Sequence, residues 1–350
     1  MPRTMSPGTL VPRRADTCGA RSSADNLASA LTPRQADSTL ADASLTDLSL
    51  TELRNPRTAD IDLATTLEIV DRIVAEDALV PSAVATQRLQ LARAIEIAEA
   101  TFRAGGRLFY VGAGTSGRLG VLDASECPPT FGTDPDMVQG IIAGGSPALT
   151  RAQEGAEDHA DHGARDLAAH GVSARDFVVG IAASGTTAYV RGALAHAHEI
   201  GARTGLVAAS PPPADVMATI DVAIIPLVGP EVVTGSTRLK AGTATKLVLN
   251  TITTGAMIRL GKTYGNLMVD LRASNAKLRA RAERIVSEVE NISRADARKL
   301  LADAGGIVKI AIVMHRLGVP RAEAERRLTA EGGVIRRVVP GPPPPIGPGE

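Results

Sequence analysis

Five short apolar runs recur along the middle of the chain, with helix-compatible stretches between them. The runs are rich in Val, Ile, Phe or Tyr, which favour β-strands, and Gly, Pro or small polar residues bound them. They lie near residues 107–112, 137–143, 176–183, 203–209 and 221–228. Alternation of apolar strands with helices predicts an α/β fold, in which a mainly parallel five-stranded sheet is covered by helices on both faces.

Two helices are predicted ahead of the first strand. Thr65 and Glu68 have the spacing of a capping box and precede several apolar residues, so a helix is expected to run to about Asp77. Pro81 is expected to open a second, longer helix, which Gly105-Gly106 ends.

More helices are predicted after the last strand. The segment from about Ser236 to Leu260 is apolar on most of its surface, which indicates a helix buried inside the domain or at a dimer interface. Residues 290–337 predict three short helices, the first capped by Ser293 and Asp296 and the third opened by Pro320. Together they predict a small C-terminal helical bundle.

These patterns divide the chain into four parts. Residues 1–50 are rich in Ser, Thr, Ala, Asp, Arg and Pro and are expected to form a disordered N-terminal extension. Residues 51–275 are expected to form the sheet domain with its leading helices, and residues 276–338 the helical domain. Residues 339–350 form a Pro-rich tail, which is expected to be extended.

Composition excludes several classes of partner. The chain has 38 basic and 38 acidic residues, so no overall field attracts nucleic acid or an anionic membrane. No apolar run approaches the roughly 18 residues that a membrane span needs. Cys18 and Cys127 lie in different contexts and give no disulfide framework, which suits a reducing compartment. A cytoplasmic location is therefore expected.

Two of the predicted strands end in turns that combine glycine with hydroxyl side chains. Gly114, Thr115 and Ser116 follow the first strand, and Ser184, Gly185 and Thr186 follow the third. Glycine lets the backbone approach a ligand closely, and the next helix presents free N–H groups there. Both turns are therefore candidate phosphate-binding sites, although the first on its own is compatible with a tight turn that binds nothing.

Longer motifs connect these turns to a known family. The segments concerned are Thr51-Glu52-x-Arg54-Asn55, Val121–Thr130 around Glu126-Cys127-Pro128-Pro129, Glu154–Asp158, Thr234–Thr243 and Tyr264–Asp270. In these segments, and over roughly Thr51 to Val338, the chain resembles the N-acetylmuramic acid 6-phosphate etherases, which have the sugar isomerase (SIS) fold. One departure concerns the second turn, where Thr186-Thr187-Ala188-Tyr189 stands in place of the family's usual Arg and Pro.

The resemblance implies a fold and a reaction. The expected fold is an SIS-type three-layer sandwich, and the expected activity is that of a homodimeric carbon–oxygen lyase of cell-wall amino-sugar recycling. Such an enzyme would remove the D-lactyl ether from N-acetylmuramic acid 6-phosphate by elimination and then water addition, giving N-acetylglucosamine 6-phosphate and D-lactate. Such a reaction needs an acid and a base but neither a metal nor a cofactor. A non-catalytic phosphosugar-binding regulatory protein is the alternative, and an aldose–ketose isomerase is disfavoured because its motifs are missing.

The resemblance also implies roles for single residues. Glu126 is assigned to protonating the lactyl oxygen and Glu157 to deprotonating C2, although the motifs alone do not decide which is acid and which is base. Glu126 is expected to be half-buried among apolar neighbours, which would favour its neutral form. Glu157 by itself would indicate a solvated helix residue. Lys240, and with it Lys246, is a candidate contact for phosphate or lactate carboxylate, with snorkelling or interface pairing as the alternative.

Other polar residues are expected to have no chemical role. His159 and His162 have metal-like spacing, but a hydrated helix face is favoured and no metal site is predicted. Cys127 is expected to be a small packing residue, because elimination needs no nucleophile. A homodimer is expected because the helix from Ser236 to Leu260 and the two leading helices offer more apolar surface than one sheet covers.

Overall fold

Five parallel strands form the central sheet in the structure, a computed structural model that describes residues 49–271, 276–342 and 344. The strands are β1 (Leu108–Gly112), β2 (Val138–Ile142), β3 (Phe177–Ile181), β4 (Arg203–Val207) and β5 (Val222–Ile224), in the spatial order β2-β1-β3-β4-β5. All five predicted strands and their parallel pairing are confirmed. In a doubly wound sheet of this order, ligands bind where β1 and β3 end side by side.

Helices cover the sheet and continue beyond it. Those around the sheet are α1 (Thr66–Asp77), α2 (Val80–Thr86), α3 (Arg88–Arg103), α4 (Gly114–Phe131), α5 (Ala160–Ala169), α6 (Ala188–Glu199), α7 (Ala214–Met217) and α8 (Lys240–Arg259). A short antiparallel hairpin, β6 (Thr263–Tyr264) and β7 (Leu267–Met268), follows. The last helices are α9 (Ala276–Glu290), α10 (Arg294–Asp303), α11 (Val308–Leu317), α12 (Arg321–Ala330) and α13 (Ile335–Val338). Within the described residues, no helix is long and apolar enough to cross a membrane.

Alternate residues of the strands point into two hydrophobic layers. Leu108 and Tyr110 of β1 pack with α2, α3, α4 and α8 on one face. Phe109 and Val111 pack with α5 and α6 on the other. This is the alternation that a strand buried on both faces requires. It confirms the SIS-type three-layer sandwich.

The helices ahead of β1 agree with the prediction, except that the second predicted helix is broken in two. The capping box is present, because Glu68 N donates to Thr65 Oγ1 while Thr65 N donates to the Glu68 carboxylate, and α1 ends at Asp77 as expected. The predicted longer helix from Pro81 is wrong as a single element, since α2 and α3 are separated at Gln87. The side chain of Gln87 accepts a hydrogen bond from the backbone N–H of Ile225 at 3.1 Å, so a residue distant in sequence fixes the break.

Helix α8 begins later than predicted and lies in the core. The carboxylate of Glu231 accepts from the backbone N–H groups of Lys240 and Ala241, both at 2.9 Å, and this cap fixes the start of the helix. Much of α8, from Ala241 to Met257, packs into the hydrophobic cluster beneath the sheet. The apolar surface that suggested a dimer interface therefore stabilises the subunit itself.

A separate hydrophobic cluster runs from Tyr264 to Val339 and contains the hairpin and the last helices. The three predicted helices are confirmed, including the cap at Ser293, whose Oγ accepts from Asp296 N at 3.1 Å. We propose a division into a sheet domain and a helical domain on the basis of these separate clusters. The second cluster already includes the hairpin residue Tyr264, so it begins before the boundary at 275/276 expected from the sequence. Residues 1–48 of the predicted disordered extension lie outside the described residues. Residue 343 and residues 345–350 of the predicted tail lie outside them as well.

A buried network of charges links residues 55–76 to the start of α8. Glu76 and Lys240 are both almost fully buried and form an ion pair of 2.7 Å. Asn55 and Arg57 also donate to the Glu76 carboxylate. Burial raises the pKa of Glu76, but the hydrogen bonds from Arg57, Lys240 and Asn55 outweigh it and lower the pKa from 4.5 to about 2.

This low pKa makes the stability of the fold depend on pH. A carboxyl whose pKa is depressed on folding stabilises the protein above its unfolded pKa and loses that stabilisation as pH falls toward the folded pKa. The contribution of Glu76 is about 3 kcal/mol at neutral pH, and about 2 kcal/mol of it should be lost between pH 6 and pH 3. Urea unfolding of the wild type and of Glu76→Gln at both pH values measures this difference, and equal losses in the two proteins would contradict it.

Candidate active site

The two hydroxyl turns lie side by side at the carboxyl edge of the sheet. The last residues of β1 and β3, Gly112 and Ile181, are partners in the parallel register, so the turns that follow are neighbours. Gly114 has φ +53° and opens α4, and Gly185 has φ +75°, a conformation that other residues rarely adopt. The phosphate-binding residues predicted on these two turns therefore lie close together, whereas Lys240 lies at the start of α8.

The first turn presents the N-terminus of a long helix. Thr115 and Ser116 lie in the first turn of α4, where backbone N–H groups have no partner within the helix. The start of α8 reaches the same place, because a Cβ added to Gly242 would lie 3.6 Å from Thr115 Cγ2. Since Glu231 already accepts from the first N–H groups of α8, the N-terminus of α4 is the better site for an added anion.

The second turn is held by its own hydroxyl groups. The backbone N–H and the hydroxyl of Thr186 both donate to Ser184 Oγ, at 3.2 Å and 2.9 Å. An oxygen that accepts two bonds keeps its own proton free to donate elsewhere. Ser184 is partly exposed. The turn can thus offer a hydroxyl proton to an anion although it lacks the Arg usual in the family.

Glu157 lies next to this second turn. It is in the loop before α5 rather than in a helix, and its side chain is exposed. Its backbone carbonyl accepts from the N–H of Tyr189 at 3.0 Å, and Tyr189 lies in the first turn of α6, just after Thr186. The structure therefore brings Glu157 and the Ser184 turn together within one chain.

Glu126 lies elsewhere, about three turns along α4 from the phosphate-type turn. The expectation that it is half-buried is wrong for the single chain, because Glu126 is exposed and its neighbour Leu122 is 52% exposed. It borders a cavity of about 210 Å³ with Lys246 and Asn250, and a second of about 450 Å³ with Thr254 and Ile258. Its surroundings thus come from α4, α8 and the β6–β7 hairpin and include neither hydroxyl turn.

A buried carboxyl one turn before Glu126 was not predicted. Asp123 is buried and accepts from Thr253 Oγ1 at 3.0 Å and from Asn250 Nδ2 at 3.3 Å. Burial raises the pKa of Asp123, although these hydrogen bonds oppose the effect. These hydrogen bonds link α4 to α8 about one helical turn before Glu126. The one sequence signal for it was the acidic residue inside the Val121–Thr130 motif.

Cys127 is a packing residue in this structure. Its thiol is buried and donates to the carbonyl oxygen of Asp123 at 3.4 Å. Burial, with the nearby Asp123 and Glu126 carboxylates, raises the pKa of the Cys127 thiol to about 12. A thiol that stays protonated at neutral pH is a poor nucleophile, which agrees with the expected packing role.

The two candidate lysines of α8 occupy different environments. Lys240, predicted as a phosphate or carboxylate contact, is fully buried and its ammonium donates to Glu76. We therefore propose that Lys240 has a structural role. Lys246 is exposed and borders the smaller cavity beside Glu126, so it remains the candidate contact for a carboxylate.

His159, Asp161 and His162 form an exposed group at the start of α5. Their potential ligand atoms all lie within 4.8 Å of one another, and the two imidazole rings stack at 4.6 Å. All three side chains are exposed, as a hydrated helix face would be. Nothing in the proposed chemistry requires a metal there.

Comparison with known proteins shows what this chain is similar to. Residues 90–198 match the sequence profile of the glucokinase regulatory protein N-terminal SIS domain. A protein of Vibrio cholerae named N-acetylmuramic acid 6-phosphate etherase 2 is 52% identical over 82% of this chain and 94% of its own length. The N-acetylmuramic acid 6-phosphate etherase of Brucella anthropi is 54% identical over 82% of this chain and 94% of its own length. A solved phosphoheptose isomerase from Francisella tularensis is 16% identical, with a TM-score of 0.43 over 55% of this chain and 100% of its own.

The strand order and the paired hydroxyl turns define a protein of the SIS class. The relatives are similar over nearly their whole length, well beyond the part of the chain that the SIS profile matches. This chain belongs to the N-acetylmuramic acid 6-phosphate etherase family.

Proposed function

We propose that the protein cleaves the D-lactyl ether of N-acetylmuramic acid 6-phosphate to N-acetylglucosamine 6-phosphate and D-lactate, as a carbon–oxygen lyase of cell-wall amino-sugar recycling. The near full-length similarity to proteins named as etherases carries the proposal. The site supports it, because two turns suited to a phosphate adjoin Glu157 and the second motif glutamate is also present.

The chemistry follows from the open-chain sugar. With C1 as an aldehyde, the proton on C2 is acidic and the ether oxygen on C3 is in the β position. Glu157 removes the C2 proton, the C3–O bond breaks, and Glu126 protonates the departing lactyl oxygen. Water then adds to C3 of the unsaturated aldehyde, and C2 regains a proton. The overall reaction consumes one water molecule and needs neither an oxidant nor a reductant.

Isotopic labels test this sequence of steps. The purified protein is incubated with N-acetylmuramic acid 6-phosphate, and free D-lactate is measured with an enzymatic assay. In heavy water the amino-sugar product should carry deuterium at C2, and in ¹⁸O-water the label should appear at its C3 hydroxyl. Label in lactate instead would mean attack on the lactyl carbon and would remove the elimination mechanism.

A regulatory protein that binds a phosphosugar without cleaving it is the alternative, and the match to an SIS domain of a regulatory protein raises it. Such a binder needs the hydroxyl turns but no acid–base pair. Glu126 and Glu157 at the motif positions favour the enzyme. Tight binding of the substrate without any release of D-lactate would favour the regulator.

The first hydroxyl turn should contribute measurably to phosphosugar binding. Ser116→Ala is expected to weaken binding of N-acetylglucosamine 6-phosphate by about 1–3 kcal/mol, because a charged acceptor loses one donor. Ser125→Ala is the matched control, since Ser125 is on the same helix and its hydroxyl donates to Leu122 O. Calorimetry measures the affinity of both variants for N-acetylglucosamine 6-phosphate. Equal affinities in the two would show that Ser116 does not contribute to the phosphate site.

The protein is also proposed to be a homodimer. Helix α1 and the turn before it expose an apolar stripe, with Leu63 82%, Leu67 69% and Val74 60% accessible. Stripes of this kind on a charged helix are typical of interfaces. Sedimentation at micromolar concentration should give twice the chain mass, and a monomer would contradict the proposal.

A cytoplasmic location completes the proposal. Cys127 is a free buried thiol, which suits a reducing compartment. The substrate is a phosphorylated sugar whose charge retains it inside the membrane. Cell fractionation followed by immunoblotting tests the location, and recovery with the membrane fraction would contradict it.

A further inference from the structure

Three potential metal ligands lie together at the start of α5. His159 is the N-cap residue of this helix, and its carbonyl accepts from the backbone N–H of His162 at 3.3 Å. The two imidazole rings lie on one side of this first turn and stack at 4.6 Å. The carboxylate of Asp161 lies beside them, with its Oδ2 3.9 Å from His162 Nε2. The group therefore combines two nitrogen ligands with one oxygen ligand.

Small movements of these side chains would bring the three ligand atoms around one ion. The atoms lie within 4.8 Å of one another, whereas the ligand atoms of a tetrahedral zinc site are about 3.4 Å apart. All three side chains are exposed, so rotations about their own bonds can remove a difference of about 1.4 Å. Binding of an ion therefore requires no change in the packed part of the protein.

One arginine competes with a metal ion for this group. Arg165 Nη2 donates to Asp161 Oδ2 at 2.8 Å, and both side chains are exposed. Exposed ion pairs of this kind add little stability. A carboxylate has two oxygens, so Asp161 can keep this hydrogen bond with one of them while the other binds the ion. Arg165 therefore lowers the affinity of the group for a cation without blocking it.

A cavity beside the group leaves room for further ligands. It has a volume of about 490 Å³, lies between β2 and α5, and is bordered by His162. Three protein ligands leave one position of a tetrahedral ion open to water or to another group. Imidazole is a good ligand for Zn²⁺, whereas Mg²⁺ prefers a shell of oxygen atoms. The ligand set therefore favours zinc over magnesium.

Glu157 is close enough in the chain to take the open position. It precedes His159 by two residues in the loop before α5, and its side chain is exposed. Carboxylate oxygens bind Zn²⁺ at about 2.0–2.2 Å, as imidazole nitrogens do. A carboxylate that is held on the ion cannot accept the C2 proton of the substrate, which is the step proposed for Glu157.

We propose that His159, Asp161 and His162 form a zinc-binding site, and that Zn²⁺ bound there inhibits the enzyme by drawing Glu157 away from the substrate. The inhibition rests on the proposed function, because it acts through the base of that reaction. Binding of the ion does not depend on that function. The spacing of the two histidines alone favoured a hydrated helix face, and the closeness of all three ligand atoms in the structure carries the proposal.

Calorimetric titration of the untagged protein with zinc chloride tests the site. The wild type should bind one Zn²⁺ per chain, and far more tightly than it binds Mg²⁺. His162→Ala should lower the affinity by at least about tenfold, since loss of a residue that only supports a metal ligand already costs about 10- to 100-fold. His198→Ala removes another exposed histidine, near the end of α6, and should keep the wild-type affinity. Equal affinity in the wild type and His162→Ala, or no Zn²⁺ binding, would overturn the site.

Release of D-lactate measures the inhibition. Zn²⁺ at a saturating concentration should lower the wild-type rate by at least about tenfold, since a base in proton transfer contributes about 10²- to 10⁴-fold. A chelator should restore the rate, and His162→Ala should lose much less of its own zinc-free rate.

The outcomes separate the metal site from the reaction. Equal inhibition of the wild type and His162→Ala, or an uninhibited wild type with the site saturated, would overturn the inhibitory role. A wild type that binds Zn²⁺ but releases no lactate in its absence would remove the proposed function and leave the metal site in place. Circular dichroism of each variant checks that a loss of zinc affinity is not a loss of folding.

Discussion

D-Lactate release by Glu126→Gln and by Glu157→Gln is expected to fall by about 10²- to 10⁴-fold, the usual contribution of one acid or base in proton transfer. The two variants should differ in how fast the C2 proton of the substrate exchanges with solvent. Without the base, Glu157→Gln should exchange no C2 proton with heavy water, whereas Glu126→Gln should still exchange it slowly because only the acid is missing. Mass spectrometry of recovered substrate measures this exchange, and the comparison assigns acid and base.

The matched control is Glu199→Gln, which neutralises an exposed carboxylate at the far end of α6. Glu199→Gln should retain wild-type activity. A loss of activity in the other two variants would then reflect the position of the carboxylate rather than the removal of one negative charge. Slow exchange in Glu157→Gln with none in Glu126→Gln would reverse the two roles. Wild-type lactate release by either variant would remove that residue from the mechanism.

Lys240→Met is expected to lower the free energy of unfolding by about 3 kcal/mol, because it leaves the buried Glu76 carboxylate without the fully buried cation that pairs with it. Lys246→Met, on the exposed face of the same helix, is the control and should change stability by less than about 0.5 kcal/mol. Urea denaturation measures both. Adding Glu76→Gln to Lys240→Met should recover part of the loss, since the buried carboxylate that has lost its lysine partner is then removed.

The same variant tests the structural role proposed for Lys240. Unchanged stability, together with a large loss of phosphosugar affinity, would show that Lys240 binds a ligand after all. A loss of stability with intact binding of N-acetylglucosamine 6-phosphate would support the structural role. Both quantities can be measured on one preparation, because unfolding and calorimetric titration need no turnover.

Local patterns predicted most of the architecture. The strands were predictable because each contains a short apolar run that ends in a turn, and β3 (Phe177–Ile181) is buried throughout. Helix starts with a side-chain cap were equally predictable, as at Thr65 and Ser293, since a cap and its partner are three residues apart. Both kinds of signal involve residues that are close together in the sequence, within a single strand or a single helical turn.

Features that depend on distant residues were not predictable. Lys240 is paired with a glutamate 164 positions away, and no local pattern separates that ion pair from an exposed phosphate contact. The break at Gln87 depends on a backbone N–H 138 positions away. The exposure of Glu126 was missed because apolar neighbours in sequence suggested burial, whereas Leu122 is itself exposed on the same helix.

The continuous helix between the phosphate-type turn and Glu126 restricts how this sequence can vary in length. Inserting or deleting one residue between Ser116 and Glu126 would turn the glutamate by about 100° around the helix and move it by about 1.5 Å. A substitution in the same segment leaves that direction unchanged. Over evolution, α4 should therefore tolerate replacement of its exposed residues other than Glu126, but not a change in the number of residues between Ser116 and Glu126.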